Sequence, residues 1–211
     1  IHLPDRGDNL VDLSSTESVQ NSLSYKSLIF MEFLMLCLGI KLNRPEKNLK
    51  LGINQQKKDK SSLFDSIFTK FPFELTDSQK IVLNEILNDM GSDRQMNRLL
   101  QGDVGSGKTI IALLSMAVSY DNGYQTALIA PTEILSDQHF LFLKKYVPNN
   151  EIVILKSSLK QKEKKETYEK IKNGTAKFIV GTHSLFQENV DYQRLGLIVV
   201  DEQHRFGVEQ R

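Results

Sequence analysis

The sequence predicts an α/β lobe, a parallel β-sheet sandwiched by helices and preceded by a helical connector. Three observations carry that expectation. From residue 126 onward, short β-branched apolar runs alternate with longer stretches of helical periodicity, the pattern of strands covered on both faces by crossover helices. A glycine-rich turn, Gly102-Asp103-Val104-Gly105-Ser106-Gly107-Lys108-Thr109, opens into an apolar helix. A third signal is the apolar run 197–200, which ends in two adjacent acids, Asp201 and Glu202.

The elements follow in order. Residues 1–22 are polar and patternless, an incoming tail. Residues 24–41 read as one helix, with Leu28, Phe33, Leu36 and Ile40 at helical spacing. Ile29, Met31, Leu34, Met35, Cys37 and Leu38 widen its apolar surface to nearly the whole circumference, so it is expected to be buried against partners on several sides. The apolar run 28–40 is shorter than the ~20 residues a bilayer span needs and is interrupted by Glu32. Residues 42–62, with Lys47, Lys50, Lys57, Lys58 and Lys60, read as a solvated linker. The domain division is therefore 1–62 for tail, connector and linker, and 63–211 for the compact lobe.

Within the lobe, Thr76 and Gln79 form a capping box for a helix whose stripe is Val82, Leu83, Ile86, Leu87 and Met90. Leu99-Leu100 reads as a short strand entering the glycine-rich turn. Further strands are expected at 126–130, 152–155, 177–181 and 197–200, and helices at 108–120, 132–146 and 159–173. The lysine-rich stretch 156–177 holds Glu166 and Lys170 four apart and reads as a solvent-facing helix.

Composition sets limits. A length of 211 residues suits one well-buried domain with flanking structure. A net charge of +1 provides no global field for nucleic acid, so any such surface must come from local clustering. The lone Cys37 excludes an internal disulfide or a thiolate metal cluster, fits a reducing compartment, and lies in an apolar run that predicts core burial. The chain opens on Ile1 with no basic, apolar leader, and reads as an internal part of something longer.

The turn at 102–109 matches the full G-x-x-x-x-G-K-T pattern. Its glycines allow the backbone to wrap phosphates, while the following helix offers unsatisfied N–H groups. Lys108 is suited to the β- and γ-phosphates and Thr109 to Mg²⁺. A phosphate loop needs a carboxylate at a nearby strand end, and Asp201 supplies one for the metal shell. Glu202 is placed to act as general base toward water, which separates a hydrolase from a phosphate-transfer kinase. Gln203 and His204 follow, suited to sensing the γ-phosphate, although His204 reads equally as a capping or packing residue.

Ligands gather outside the carboxyl ends of parallel strands. Two further strand ends place hydroxyls there, Thr132 in Ala130-Pro131-Thr132-Glu133 and Thr182 beside His183 in Gly181-Thr182-His183-Ser184. Such groups suit phosphate oxygens without reading bases. Ordinary helix capping by Thr132 and Thr182 is the other reading, and both stand at this point.

Together with Ala130-Pro131-Thr132-Glu133-Ile134-Leu135, Gly181-Thr182-His183-Ser184-Leu185-Phe186 and the run from Asp201 to Arg211, the phosphate loop resembles the RecG family of superfamily 2 helicases. Phe71-Pro72-Phe73-Glu74-Leu75-Thr76 with Gln79 is similar to the family's adenine-side motif, and residues 25–34 to its connector between wedge and motor. A related motor, the transcription-repair coupling translocase, typically reads Asp-Glu-Glu-Gln-Arg-Phe-Gly where this chain has Asp201-Glu202-Gln203-His204-Arg205-Phe206-Gly207.

The resemblance implies a RecA-like P-loop lobe that uses ATP and Mg²⁺. Gln79 would contact adenine, residues 102–109 would hold phosphate, and Thr109 and Asp201 would serve the metal, with Lys108, Asp201 and Glu202 catalytic. Gln203 and His204 would couple nucleotide to movement, and Thr132, Thr182 and His183 would lie near DNA. It further implies a cytoplasmic, monomeric, membrane-free motor acting on forks and four-way junctions in recombination and repair. One departure is Ser157-Ser158 where the family commonly has Thr-Gly-Ser, so that Ser157 takes the glycine position. By that likeness residues 1–62 hold the tail of the family's wedge region and its connector, while the second motor lobe and nearly all of the wedge have no counterpart in these 211 residues. The piece alone is therefore expected to bind nucleotide weakly and not to unwind DNA.

Overall fold

The computed structural model describes residues 23–42, 51–58, 62–187 and 189–202. The chain divides into two units, residues 1–50 and 51–211.

The first unit contains helix α1, Leu23–Leu42, within one residue of the expected bounds. The side chains described in it, residues 25–38, are all exposed, including Leu28, Phe30, Phe33 and Leu36. The expectation of a buried helix is thus corrected, and so is that of a core cysteine, because Cys37 is exposed. An apolar circumference can be buried only by neighbours, and the described residues of this unit supply none. Among the described residues no helix is long and apolar enough to cross a membrane.

The second unit begins earlier than the expected position 63. Residues 51–58 are bonded to the lobe: Leu51 bridges Arg94, and the Gln55 N–H donates to the Met90 carbonyl at 2.8 Å. The Gln55 side chain is buried and donates from Nε2 to the Gly196 carbonyl at 2.9 Å. Hydrogen bonding, not hydrophobicity, holds this segment.

Helix α2, Leu63–Lys70, buries Phe64 and Ile67. Ser62 accepts from the Asp65 N–H, and the Asp121 carboxylate accepts from the N–H groups of Leu63 (2.9 Å) and Phe64 (3.2 Å). Three of the helix's unpaired N-terminal donors are thereby satisfied. Helix α3, Asp77–Met90, starts with both halves of the capping box formed by Thr76 and Gln79, and buries Leu83, Ile86 and Met90. The expected strand at Leu99-Leu100 is absent. Leu99 is exposed and Leu100 only partly buried. The preceding Arg98 is tied instead to α3 through Glu85 (2.6 Å) and Asp89 (2.7 Å). Two apolar residues are too few to sustain a ladder of their own.

After helix α4, Lys108–Asp121, the chain alternates β1 (Gln125–Ile129), α5 (Glu133–Leu143), β2 (Ile152–Leu155), α6 (Gln161–Lys172), β3 (Phe178–Gly181) and β4 (Leu195–Val200). All pairings are parallel, in the order β2-β3-β1-β4. Successive strand residues face opposite sides. Leu128, Phe178 and Val180 join the core formed with α2, α3 and α4. Ala127, Ile129 and Ile179 join a second core with Leu155, Ile171 and Leu185. Gln125, fully buried at the start of β1, donates from Nε2 to the carbonyls of Ile171 and Ala176 and accepts from the Arg194 N–H.

Candidate functional site

The parallel register aligns Ile129 with Gly181 on one side and with Val200 on the other. The loops that follow β1, β3 and β4 therefore leave the sheet side by side. Asp201 continues from β4, and its N–H donates to the Ile129 carbonyl at 2.8 Å. Helix α4 packs against both β1 and β4.

The phosphate loop precedes α4. Gly105 and Gly107 sit at φ 81° and 87°, a left-handed region that costs a residue with Cβ about 1–2 kcal/mol. At Gly107 the constraint is double, because a Cβ there would collide with the Gln79 amide nitrogen. The Gln79 amide is engaged at both ends: Oε1 accepts from the Thr76 N–H (2.9 Å) and Nε2 donates to the Ser106 carbonyl (2.9 Å). The helix cap thus buttresses the loop. The first helical donors to be satisfied are Ile110 and Ile111, both to the Gly107 carbonyl, so the N–H groups of Lys108 and Thr109 lie beyond the intrahelical ladder. Residues 102–106 are exposed, and Lys108 and Thr109 half-buried.

Lys108 donates from Nζ to the carbonyls of Gly102 (2.7 Å) and Asp103 (2.9 Å), which holds its ammonium inside the loop's arc. Its charge is felt by Asp201. The Asp201 carboxyl is held below the ordinary carboxylate range, first by a hydrogen bond from His139, against the opposing effect of burial, and further by the Glu202 N–H and by Lys108. Lys108 thus acts on the Asp201 carboxyl although 93 positions separate the two. Glu202 follows at φ 51°, the one non-glycine residue with positive φ among the described residues.

Two loops flank this centre. Thr132 caps α5 by accepting from the Leu135 N–H at 3.3 Å and is exposed. Thr182 behaves differently: it is buried, makes no cap bond, and pairs its hydroxyl with Ser184 at 3.0 Å. The capping reading is thereby corrected at Thr182, whose hydroxyl is turned inward. His183 beside it is exposed. The loop after β2 is fastened to α5, since the Lys156 ammonium bonds both oxygens of Asp137 (2.7 and 2.8 Å) and the Ser158 N–H donates to Glu133 at 3.0 Å. Gln203 and His204 lie outside the described residues.

Sequence reasoning missed His139. Its Nε2 lies 2.8 Å from Asp201 Oδ2, with side chains only 13% and 31% exposed. No motif spacing marks this contact, because it joins a helix after β1 to the end of β4.

A family model described as DEAD/DEAH box helicase matches residues 76–211. The chain belongs to that family. It is 44% identical over 199 residues to the ATP-dependent DNA helicase RecG of Streptococcus pneumoniae, covering 94% of the chain and 29% of the relative. It is 39% identical over 214 residues to the protein of the same name from Borreliella burgdorferi, covering the whole chain and 29% of that relative. Among solved structures, a RecG bound to a three-way DNA junction superimposes with a TM-score of 0.75 at 38% identity, covering 87% of this chain and 25% of that one. The UvsW helicase of bacteriophage T4 shares the fold, with a TM-score of 0.53 at 20% identity. The chain thus spans less than a third of the length of the RecG relatives it matches.

Proposed function

We propose that this chain is the nucleotide-binding motor lobe of an ATP-dependent DNA helicase that unwinds and remodels branched DNA in recombination and repair. The observation that carries the reading is a phosphate loop that holds the Lys108 ammonium in its arc, on a lobe whose strand β4 runs into Asp201 beside the end of β1, with Lys108 among the groups that lower the Asp201 carboxyl. The groups present fit ATP and Mg²⁺: a glycine-wrapped loop with a lysine in its arc, N–H groups outside the helical ladder at a helix start, a threonine in the first turn, and a carboxylate at the end of β4.

The chemistry supplied by the bound nucleotide and metal is phosphoryl transfer to water. Lys108 is positioned to trade its carbonyl partners for phosphate oxygens. Thr109 and Asp201 would hold the metal, and Glu202 would orient the attacking water and accept its proton. Gln79 braces the loop from the adenine side. Thr132 and His183 present an exposed hydroxyl and imidazole on the neighbouring strand ends for DNA, with Thr182 acting through its backbone and Gln203 and His204 coupling nucleotide to movement. Three-way junctions are the substrate class by likeness to the junction-bound relative, and four-way junctions by the resemblance of the motifs. The second motor lobe and the wedge belong to the same protein, which works as a cytoplasmic monomer.

The test uses the full-length protein. ATP hydrolysis should be stimulated by a three-way junction, and Lys108→Ala should lower the stimulated rate about a hundredfold or more. A rate indifferent to DNA, or to the loss of Lys108, would overturn the reading.

A further inference from the structure

We infer that His139 is a positioning residue that fixes the Asp201 carboxylate for the metal of bound ATP and ties it to the helix rising from the Thr132 loop. The inference rests on the nucleotide reading of the site.

An Asp side chain after a strand end can turn about two torsions, and a metal shell needs one orientation. Asp201 is restrained at its backbone, where the N–H is bonded to the Ile129 carbonyl, and at its carboxylate, where Oδ2 lies 2.8 Å from His139 Nε2 and the Glu202 N–H also bonds. An ionised carboxylate only accepts, so His139 must donate from Nε2. That bond occupies Oδ2 and leaves Oδ1 outside it, on a carboxylate that also feels Lys108. Both side chains are largely withdrawn from water, which strengthens a hydrogen bond to a charged group. Partners that orient a ligating carboxylate typically matter 10- to 100-fold in metal affinity or activity.

The location of His139 gives the bond a second consequence. It lies seven residues after Thr132 on α5, about 10 Å along the helix axis. The same helix anchors the loop after β2 through Glu133 and Asp137. One rigid element therefore joins the Thr132 loop, the loop after β2 and the metal-side carboxylate, so that a shift of α5 is felt at Asp201.

The experiment compares wild type, His139→Ala, His139→Gln and Lys108→Ala in the full-length protein. Mn²⁺ uptake in the presence of ADP is followed by electron paramagnetic resonance, alongside kcat and KM for ATP at varied Mg²⁺. His139→Ala should raise the metal concentration for half-maximal uptake about tenfold. High Mg²⁺ should recover its kcat. Glutamine can place an N–H donor near the Nε2 position, so His139→Gln should restore most of the metal affinity. The inference is overturned if His139→Ala takes up Mn²⁺ as wild type does, or if His139→Gln is as impaired as the alanine variant while its melting temperature is unchanged. Uptake that ignores Lys108→Ala defeats the phosphate-loop reading itself, and the role of His139 falls with it.

Discussion

Asp201 shows how much one side chain depends on its surroundings. The hydrogen bond from His139 lowers its carboxyl further than burial raises it, with Lys108 and the Glu202 N–H adding to the effect. A group whose folded pKa is depressed stabilises the fold above its unfolded value and loses that contribution as pH falls through the folded value. The window here lies below the ordinary carboxylate range of about 4. Urea unfolding of wild type and Asp201→Asn should therefore differ most near neutrality, with the wild-type advantage shrinking as the solution is acidified below about pH 4. A difference that stays constant from pH 7 to pH 3 would mean that the carboxylate's contacts do not carry it. The residues at the centre of this site, Lys108, Thr109, Asp201 and Glu202, were legible because a phosphate loop and an acid-terminated strand are local patterns. His139 was not, since its partner stands 62 positions away and only the parallel register brings the two together.

At the scale of elements, periodicity located β2 at its observed bounds and placed β1, β3, β4 and helices α3 to α6 within a few residues. The failures have physical causes. Leu99-Leu100 looked like a strand because it is apolar and enters the glycine loop, yet Arg98 pins the segment to α3 and no ladder forms. Residues 51–58 read as part of a solvated linker because the hydrophilic stretch 42–62 carries Lys47, Lys50, Lys57, Lys58 and Lys60, while the bonds that hold Gln55 are invisible to a hydropathy pattern. Helix α2 depends on a partner from afar: the carboxylate of Asp121, at the end of α4, accepts from both Leu63 and Phe64. Asp121→Ala should leave two N–H groups without that acceptor and destabilise the lobe by about 1–2 kcal/mol. Denaturant melts would register this as a lower midpoint with an unchanged slope. An unaltered midpoint would show that water replaces the carboxylate at no cost.

At the scale of the whole molecule, the proposed nucleotide site presents one wall among the described residues. Residues 102–106 are exposed and Val104 is fully so. Binding and turnover make different demands on such a surface. Binding needs the loop's N–H groups, Lys108 and a metal carboxylate, all of which this lobe supplies. Turnover needs charge placed on the far side of the transferring phosphoryl group and exclusion of bulk water around it. In the proposed motor that charge comes from the second lobe. The 211-residue chain should accordingly bind a fluorescent ADP analogue, with affinity reduced about tenfold or more by Lys108→Ala. The same preparation should show neither DNA-stimulated hydrolysis nor strand separation on a three-way junction. Equal affinity of wild type and Lys108→Ala would remove the phosphate loop's role in binding. Brisk junction-stimulated turnover by the isolated chain would mean that one wall suffices, and the two-lobe account of catalysis would have to be abandoned.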